Sequence, residues 1–450
     1  MNIDATPDPA RGAAVYAADR AHVFHSWSAQ KALNPLVIAG AQGCYVWDYD
    51  GKRYLDFSSQ LVNTNIGHQH PRVTRAIAEQ AARLTTIAPQ YANEARGEAA
   101  IRLTDLAPDG FRKVFFTNGG ADANENAIRM ARLHTGRDKV LSFYRSYHGN
   151  TGAAITSTGD PRRWPNEYAT GHVHFFGPYL YRSSFWASTQ EQECERALEH
   201  LEQVIVFEGP GTIAAILIES IVGTAGVLMP PPGYLAGVRA LCDKYGIAWI
   251  ADEVMCGFGR AGSWFAFSQH NAVPDLITFA KGANSGYVPI GGVLISDPIA
   301  ATFDERVFPG GLTYSGHPLA CASIVATIDA MREEGIVENA AAIGQQTLGP
   351  GLADLAQRHL VIGEVRGTGV FWALDLVSDR ATRAMLAPYG GASEAMTKLA
   401  AACRARGLLT FTNYNRLHVV PPCTITEAEA KEGIAILDEV LTEIDAYYQG

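Results

Sequence analysis

The sequence predicts an α/β protein, with a mostly parallel sheet flanked by helices and a smaller α/β domain attached to it. Three observations carry this reading. Short apolar runs recur between residues 113 and 296: KVFFTNGG, KVLSFY, TIAAILIES, IAWIADEV, DLITFAK and GGVLIS. They are nearly continuous rather than alternating, which suits strands buried on both faces. Helical patterns separate them, the clearest being GYLAGVRALCDKYG, and such a succession builds a parallel sheet covered on both sides.

Taken in chain order, residues 1–35 are polar to amphipathic, with aromatics in VFHSW, and read as an N-terminal arm. GCYVWDYDGKRYLDFSS reads as a hairpin whose turn is Asp50-Gly51. HPRVTRAIAEQAARL is helical, with Pro71 near its start. ADANENAIRMARLHTG is helical and closes on Gly136, a residue suited to a left-handed C-cap. After about residue 320, PLACASIVATIDAMREEG forms a long helix leading out of the first core. Beyond it lie further helices and the strand-like VRGTGVFWALDLV and LLTFTNYNRLHVVPP. The expected division is an arm and hairpin over 1–65 that contribute to the small domain, a large domain over 66–325, and a C-terminal small domain over 326–450.

Bulk composition narrows the function. The 450 residues are 47% hydrophobic and 18% charged, enough apolar matter for a large core. Net charge is −10 with no basic face evident, so nucleic acid is an unsuitable partner. The most apolar stretch, IAAILIESIVGTAGVLMPPP, is broken by Glu219, two glycines and three prolines, so no membrane span is expected. The seven cysteines are odd in number and form no CxxC pair. Together with the absence of a signal-like start, they point to reduced thiols and a cytoplasmic location.

Ligands of open α/β sheets bind outside the carboxyl ends of the strands, and several informative residues fall there. Gly119, Gly120 and Ala121 lie between a strand and a helix, where small residues let backbone N–H groups approach an anion; an ordinary turn is the plainer reading. Asp252 ends the run IAWIA and must be paired if buried. It could hold a ring nitrogen, a metal with Glu253, or an arginine, or simply cap a loop, but no histidine lies at metal-ligand spacing. Lys281 ends DLITFA, where partial burial would lower its pKa and free the amine for Schiff-base chemistry. Gly257-Phe-Gly259-Arg-Ala-Gly262 matches a dinucleotide fingerprint literally, but SWFAFSQH after it is a poor dinucleotide-type helix.

These signals occur in one order: the glycine loop, Tyr147-His148-Gly149, Glu219, DEVMCGFGR, LITFAKG and GLTYSGHP. In that order the chain resembles the class III (omega) aminotransferases of fold type I over roughly residues 20 to 445. The resemblance implies a large domain on a mostly parallel sheet of the seven-stranded type and pyridoxal 5′-phosphate as cofactor. It implies that Lys281 carries the cofactor and moves protons, that Asp252 keeps the ring nitrogen protonated, and that Val254 and Tyr147 cover the ring faces. Gly120 and Ala121 match amides around the phosphate, with a hydroxyl missing at Ala121 that many relatives possess. Glu219 matches an acid near the ring hydroxyl, and His148 lies beside the cofactor. Thr313 matches a threonine that reaches the phosphate of the neighbouring subunit, which implies a homodimer with shared active sites, or a tetramer of such pairs. His317 is read as structural, and Arg260 as anchoring its own loop.

The resemblance also bears on substrate. Relatives acting on ornithine or 4-aminobutyrate with 2-oxoglutarate carry a glutamate where Thr224 stands. This favours the branch that moves an amino group from an amine or omega-amino acid, such as taurine or β-alanine, to pyruvate. Leu61, Val62 and Tyr91 are expected pocket walls, and Arg416 the expected carboxylate ligand, although its spacing to Pro421 is short. Arg162 and Arg163 read as surface charge, with an acidic donor as their alternative partner. Other reactions on the same cofactor stay open: an aminomutase, racemase or decarboxylase, or an aminotransferase using 2-oxoglutarate. A non-catalytic binding protein is disfavoured by Lys281 and Asp252.

Overall fold

Seven apolar strands form one sheet in the spatial order Phe111–Thr117, Gly291–Ser296, Leu276–Phe279, Ala248–Asp252, Ile213–Glu219, Lys139–Phe143 and His172–Phe175. The structure, a computed structural model, describes residues 6–450. Gly291–Ser296 runs antiparallel to both of its neighbours, and every other pair is parallel. The four strands from Ile213–Glu219 to Gly291–Ser296 are buried at every position, so the continuous apolar runs correspond to a sheet covered on both faces. Register places the acids. Glu219 pairs with Asp252, and Asp252 with Thr278, which aligns the two carboxyl groups at the carboxyl edge with Lys281 just beyond.

The helix behind the glycine loop spans Gly120–Thr135 and buries Ala123, Ala127, Ile128 and Ala131 against the sheet. Gly136 closes it at φ +69, a left-handed position that glycine takes without strain. Pro318–Glu333 does not lead away from the core as expected. It packs against Pro71–Arg83 and Glu94–Thr104 and buries Cys321, Ile324 and Ile328. Its apolar residues are spread around the helix because neighbours cover several of its sides.

The hairpin is present, with Tyr45 opposite Leu55 and Trp47 opposite Arg53. A third strand, Ile38–Gln42, joins it, and Leu408–Leu409 adds in parallel to Arg53–Asp56. The expected arm contains a helix, Pro9–His22, in which Asp8 Oδ1 accepts from Arg11 N at 3.0 Å. Its sequence shows little periodicity because only Gly12 is buried, against Tyr49. Residues 1–5 of that arm lie outside the described residues. A second, antiparallel sheet runs Ile362–Thr368, Phe371–Asp379, Arg416–Val419 and Phe411–Asn413, with Ala384–Met385 on Phe371–Asp379. No described helix is long and apolar enough to cross a membrane.

Candidate active site

A cavity of about 360 Å³ opens at the carboxyl edge of the large sheet. Its wall brings together Leu61, Gly120, Ala121, Tyr147, His148, Glu219, Asp252, Val254 and Lys281, and Thr224 joins them. Tyr91, Thr313 and Arg416 are not part of it.

The floor is built around Asp252, which is 2% exposed. A buried carboxylate needs donors on its oxygens, and this one has three. Val254 N donates to Oδ1 at 3.0 Å, while Asn124 Nδ2 and His148 Nδ1 each lie 2.8 Å from Oδ2. The carboxylate therefore sets the imidazole proton on Nδ1. His148 Nε2 and Asn124 Oδ1 are buried without a partner. Sequence reasoning misses Asn124, although it lies one helical turn after Gly120. Glu253 faces away from the cavity floor. Its oxygens accept from Ala266 N at 2.8 Å and Phe267 N at 3.1 Å.

Beside the floor, the Gly120–Thr135 helix begins without any side-chain cap. Its first N–H groups and the positive end of its dipole face the cavity wall. A Cβ on Gly119 would meet no protein atom within 4 Å, whereas one on Gly120 would strike Val254 Cγ1 at 2.8 Å. Gly120 thus lets Val254 close over the helix end, and Gly119 leaves room for an anion.

Lys281 follows the strand Leu276–Phe279 with φ +34, a left-handed conformation costly for lysine. Loss of water around its amine lowers the pKa. Asp252 and Glu219 pull it back up, and the positive charge of Arg162 pushes it down. Glu219 is buried beside them. Its Oε1 accepts from Tyr147 N at 3.0 Å and its Oε2 from Gly223 N at 2.8 Å. Burial raises its pKa to about 7, helped by Asp252 and opposed by His148.

The mouth is looser. Ser59, Gln60 and Val62 all have positive φ, and Leu61, 51% exposed, is carried among them. Arg260 holds this segment from beneath. Its Nη2 donates to Ser59 Oγ at 3.0 Å and Asn65 Oδ1 at 2.7 Å, and its Nη1 to the Pro421 carbonyl. Arg260 is thus a buried anchor of the Ser59–Asn65 segment and the Pro421 carbonyl rather than of its own loop. Arg162 is not simple surface charge. Its guanidinium carbon lies 3.6 Å from the Tyr147 ring centroid, and Nε is 2.9 Å from Asp160 Oδ2. The sequence carried no signal for this stack, because fifteen residues separate the two and a 3-10 turn brings them together.

The other expected substrate residues lie elsewhere. Tyr91 and Thr313 are exposed. Arg416 is 2% exposed in a fully buried strand, opposite Asp375, with Nε 3.9 Å from Asp375 Oδ2. Asp375 already accepts from Arg182, Asn415 and Tyr179. Strand alternation turns Arg416 into that network rather than towards Lys281.

Comparison with known proteins decides the identity. The family description Aminotransferase class-III matches residues 27–441. The chain belongs to the class III aminotransferases. This class III aminotransferase is 34% identical to the 5-aminovalerate aminotransferase DavT of Pseudomonas aeruginosa, over 92% of its own length and 95% of that protein. It is 33% identical to the taurine–pyruvate aminotransferase of Rhodobacter capsulatus, over 98% and 100%. A crystal structure of taurine:2-oxoglutarate aminotransferase from Bifidobacterium kashiwanohense, in complex with PLP and glutamate, superposes with a TM-score of 0.95 at 43% identity. That match covers 97% of this chain and 99% of the other. The aminotransferase is a pyridoxal-phosphate enzyme, and its cavity fits that cofactor. An uncapped helix end suits a phosphate, a buried acid suits a ring nitrogen, and an amine of lowered pKa suits an aldehyde.

Proposed function

We propose that this aminotransferase moves an amino group from a small acidic amine, an omega-amino acid or amino sulfonate such as β-alanine or taurine, to pyruvate in a ping-pong cycle. The observation that carries the reading is a lysine amine on the cavity wall that feels the charge of an arginine behind the neighbouring Tyr147. The Lys281 amine is held towards its neutral form, and the Arg162 guanidinium is fixed on Tyr147. One is a nucleophile and base, and the other a receptor for an acidic group.

When bound, pyridoxal phosphate supplies the electrophilic carbonyl and the electron-accepting ring. In this reading Lys281 Nζ is the group that would hold that carbonyl. The same Nζ would take the proton from the donor's amine-bearing carbon and pass it on within the site. Asp252, held by His148, Asn124 and Val254 N, keeps a proton on the ring nitrogen. Glu219 would sit by the ring hydroxyl, Val254 and Tyr147 would cover the two faces, and the amides of Gly120 and Ala121 would hold the phosphate without a side-chain hydroxyl at Ala121. Thr313, exposed and outside its own cavity, would complete the phosphate site of the neighbouring subunit in a homodimer. Seven unpaired cysteines support a cytoplasmic location.

Pyruvate is favoured by Thr224, which lines the cavity without a carboxylate, and by the pyruvate-linked activity of the Rhodobacter relative. A second reading, 2-oxoglutarate as acceptor, has its own support in the 43% identity to the Bifidobacterium enzyme. A half-reaction panel separates them. Taurine or β-alanine should bleach the absorbance of lysine-bound cofactor, and pyruvate should restore it faster than 2-oxoglutarate does. Faster recovery with 2-oxoglutarate establishes the second reading. A donor that bleaches nothing defeats both.

A further inference from the structure

Thr224 lies in a turn whose backbone is gripped from outside. The turn runs from Gly223 to Gly226, and three of its carbonyls accept hydrogen bonds from side chains of the small sheet. His418 Nε2 lies 3.1 Å from Gly223 O, Asn413 Nδ2 donates to Thr224 O at 2.8 Å, and Arg366 Nε donates to Gly226 O at 2.5 Å. The three donors come from three different strands, Arg416–Val419, Phe411–Asn413 and Ile362–Thr368. From the other side, Glu219 Oε2 accepts from Gly223 N at 2.8 Å.

The turn has little freedom left. Gly226 has φ +106, and a Cβ there would meet Arg416 Cγ at 2.9 Å. A Cβ on Gly223 would collide with Met255 Sδ. Met255 also lines the cavity, and its sulfur lies 4.0 Å from Thr224 Oγ1. The Thr224–Met255 stretch of wall is thus fixed in depth by groups that never touch the cavity. Asp252 and Glu219 end strands of the large sheet and Lys281 and Tyr147 lie just beyond strand ends, while three carbonyls of this wall are held by the small sheet.

We infer that Asn413 and His418, with Arg366, are positioning residues that set the size of the substrate pocket through the Gly223–Gly226 turn. This inference rests on the amino-transfer reading of the cavity. Burial lowers the His418 pKa to about 4, so at working pH it is a neutral donor, a role glutamine can fill. Loss of the Asn413 donor leaves the Thr224 carbonyl without its side-chain partner, and loss of the His418 donor takes one of three partners from Gly223 O, which keeps Gly226 N and Val227 N; either change lets the turn relax away from the cavity. A deeper pocket holds a small oxo acid less well and admits a larger one, while Lys281 and its neighbours keep their places.

The test uses the cofactor-loaded enzyme and three variants: Asn413→Asp, which keeps shape and loses the N–H donor, His418→Leu, and His418→Gln. Pyruvate and an aromatic oxo acid serve as acceptors. Asn413→Asp should raise the pyruvate KM about tenfold, the size expected for one unmet hydrogen bond, and His418→Leu should raise it by a smaller factor, since Gly226 N and Val227 N still reach Gly223 O. The aromatic acceptor should gain relative to pyruvate. The absorbance of lysine-bound cofactor and the maximal rate of the donor half-reaction should stay within about twofold. His418→Gln should restore the pyruvate KM. Unchanged KM values and acceptor preference in both lesions overturn the inference and leave amino transfer standing. Loss of bound cofactor in well-folded variants also overturns it, since the turn would then serve the cofactor rather than the pocket. If His418→Leu does not fold, the half-buried Asn413→Asp decides alone. A wild-type enzyme that transfers to no oxo acid defeats the amino-transfer reading itself, which is a distinguishable result.

Discussion

At the floor of the cavity Asp252 is buried with three donors on its two oxygens. At the mouth Leu61 is half-exposed in a segment with three residues at positive φ, and Tyr147, which lines the cavity, is backed by Arg162 outside it. The Asp252 carboxylate at the floor is buried with donors on both oxygens, as a low-dielectric site requires. The mouth tolerates strain and water. Chemistry common to every substrate belongs on the first, and discrimination among substrates on the second. Changes at the floor should therefore scale all substrates alike, whereas changes at the mouth should split them.

The largest expected effect is at Lys281. Lys281→Ala should lower transfer with every donor by at least about 10³-fold while thermal unfolding stays cooperative. Turnover that survives with any donor would remove Lys281 from the chemistry. Next comes Asp252→Asn, which keeps shape and one acceptor oxygen but loses the charge. It should cost on the order of 10²-fold in kcat with acidic and neutral amines alike; a loss confined to one donor class would break the distinction between floor and mouth.

Arg162→Leu sharpens the comparison from the other side. The KM for taurine or β-alanine should rise by about 10- to 100-fold, the usual cost of a charged hydrogen bond, with little change for a neutral amine. Equal losses for both would return Arg162 to a structural role.

The smallest effect concerns Glu219 in the cofactor-free protein. Burial raises its folded pKa to about 7, so the folded state binds its proton more tightly than the unfolded chain does. Its contribution to stability is full below the ordinary glutamate range and is lost as pH rises through about 7. The melting temperature relative to Glu219→Gln should fall by a few degrees between about pH 5 and about pH 8. A constant difference would show that Glu219 is ionised throughout.

The parts legible in sequence were local. Continuous apolar runs in Ile213–Glu219 and Ala248–Asp252 reveal buried strands, because a strand covered on both faces has no polar side to show. The floor residues Asp252 and Glu219 stand at strand ends, so their neighbourhood is set once the strands pair in register. The helix Pro9–His22 was not legible because it buries almost nothing. Asn124 was hidden among polar helix residues, since its bond to Asp252 spans 128 positions.

By itself, the sequence determined the α/β class, the order of strands and helices around the cavity, and membership of the class III aminotransferases. Each of these depends on residue types within short windows and on their order along the chain. Only the tertiary structure decided that Arg162 stacks on Tyr147, that Arg416 turns into the Asp375 network, and that the small sheet holds the turn carrying Thr224. Those outcomes depend on which side chains meet across tens to hundreds of residues, and on whether a buried cation or carbonyl finds its partner there. The identity of an arginine says that it can grip an anion; its surroundings decide whether it is free to do so.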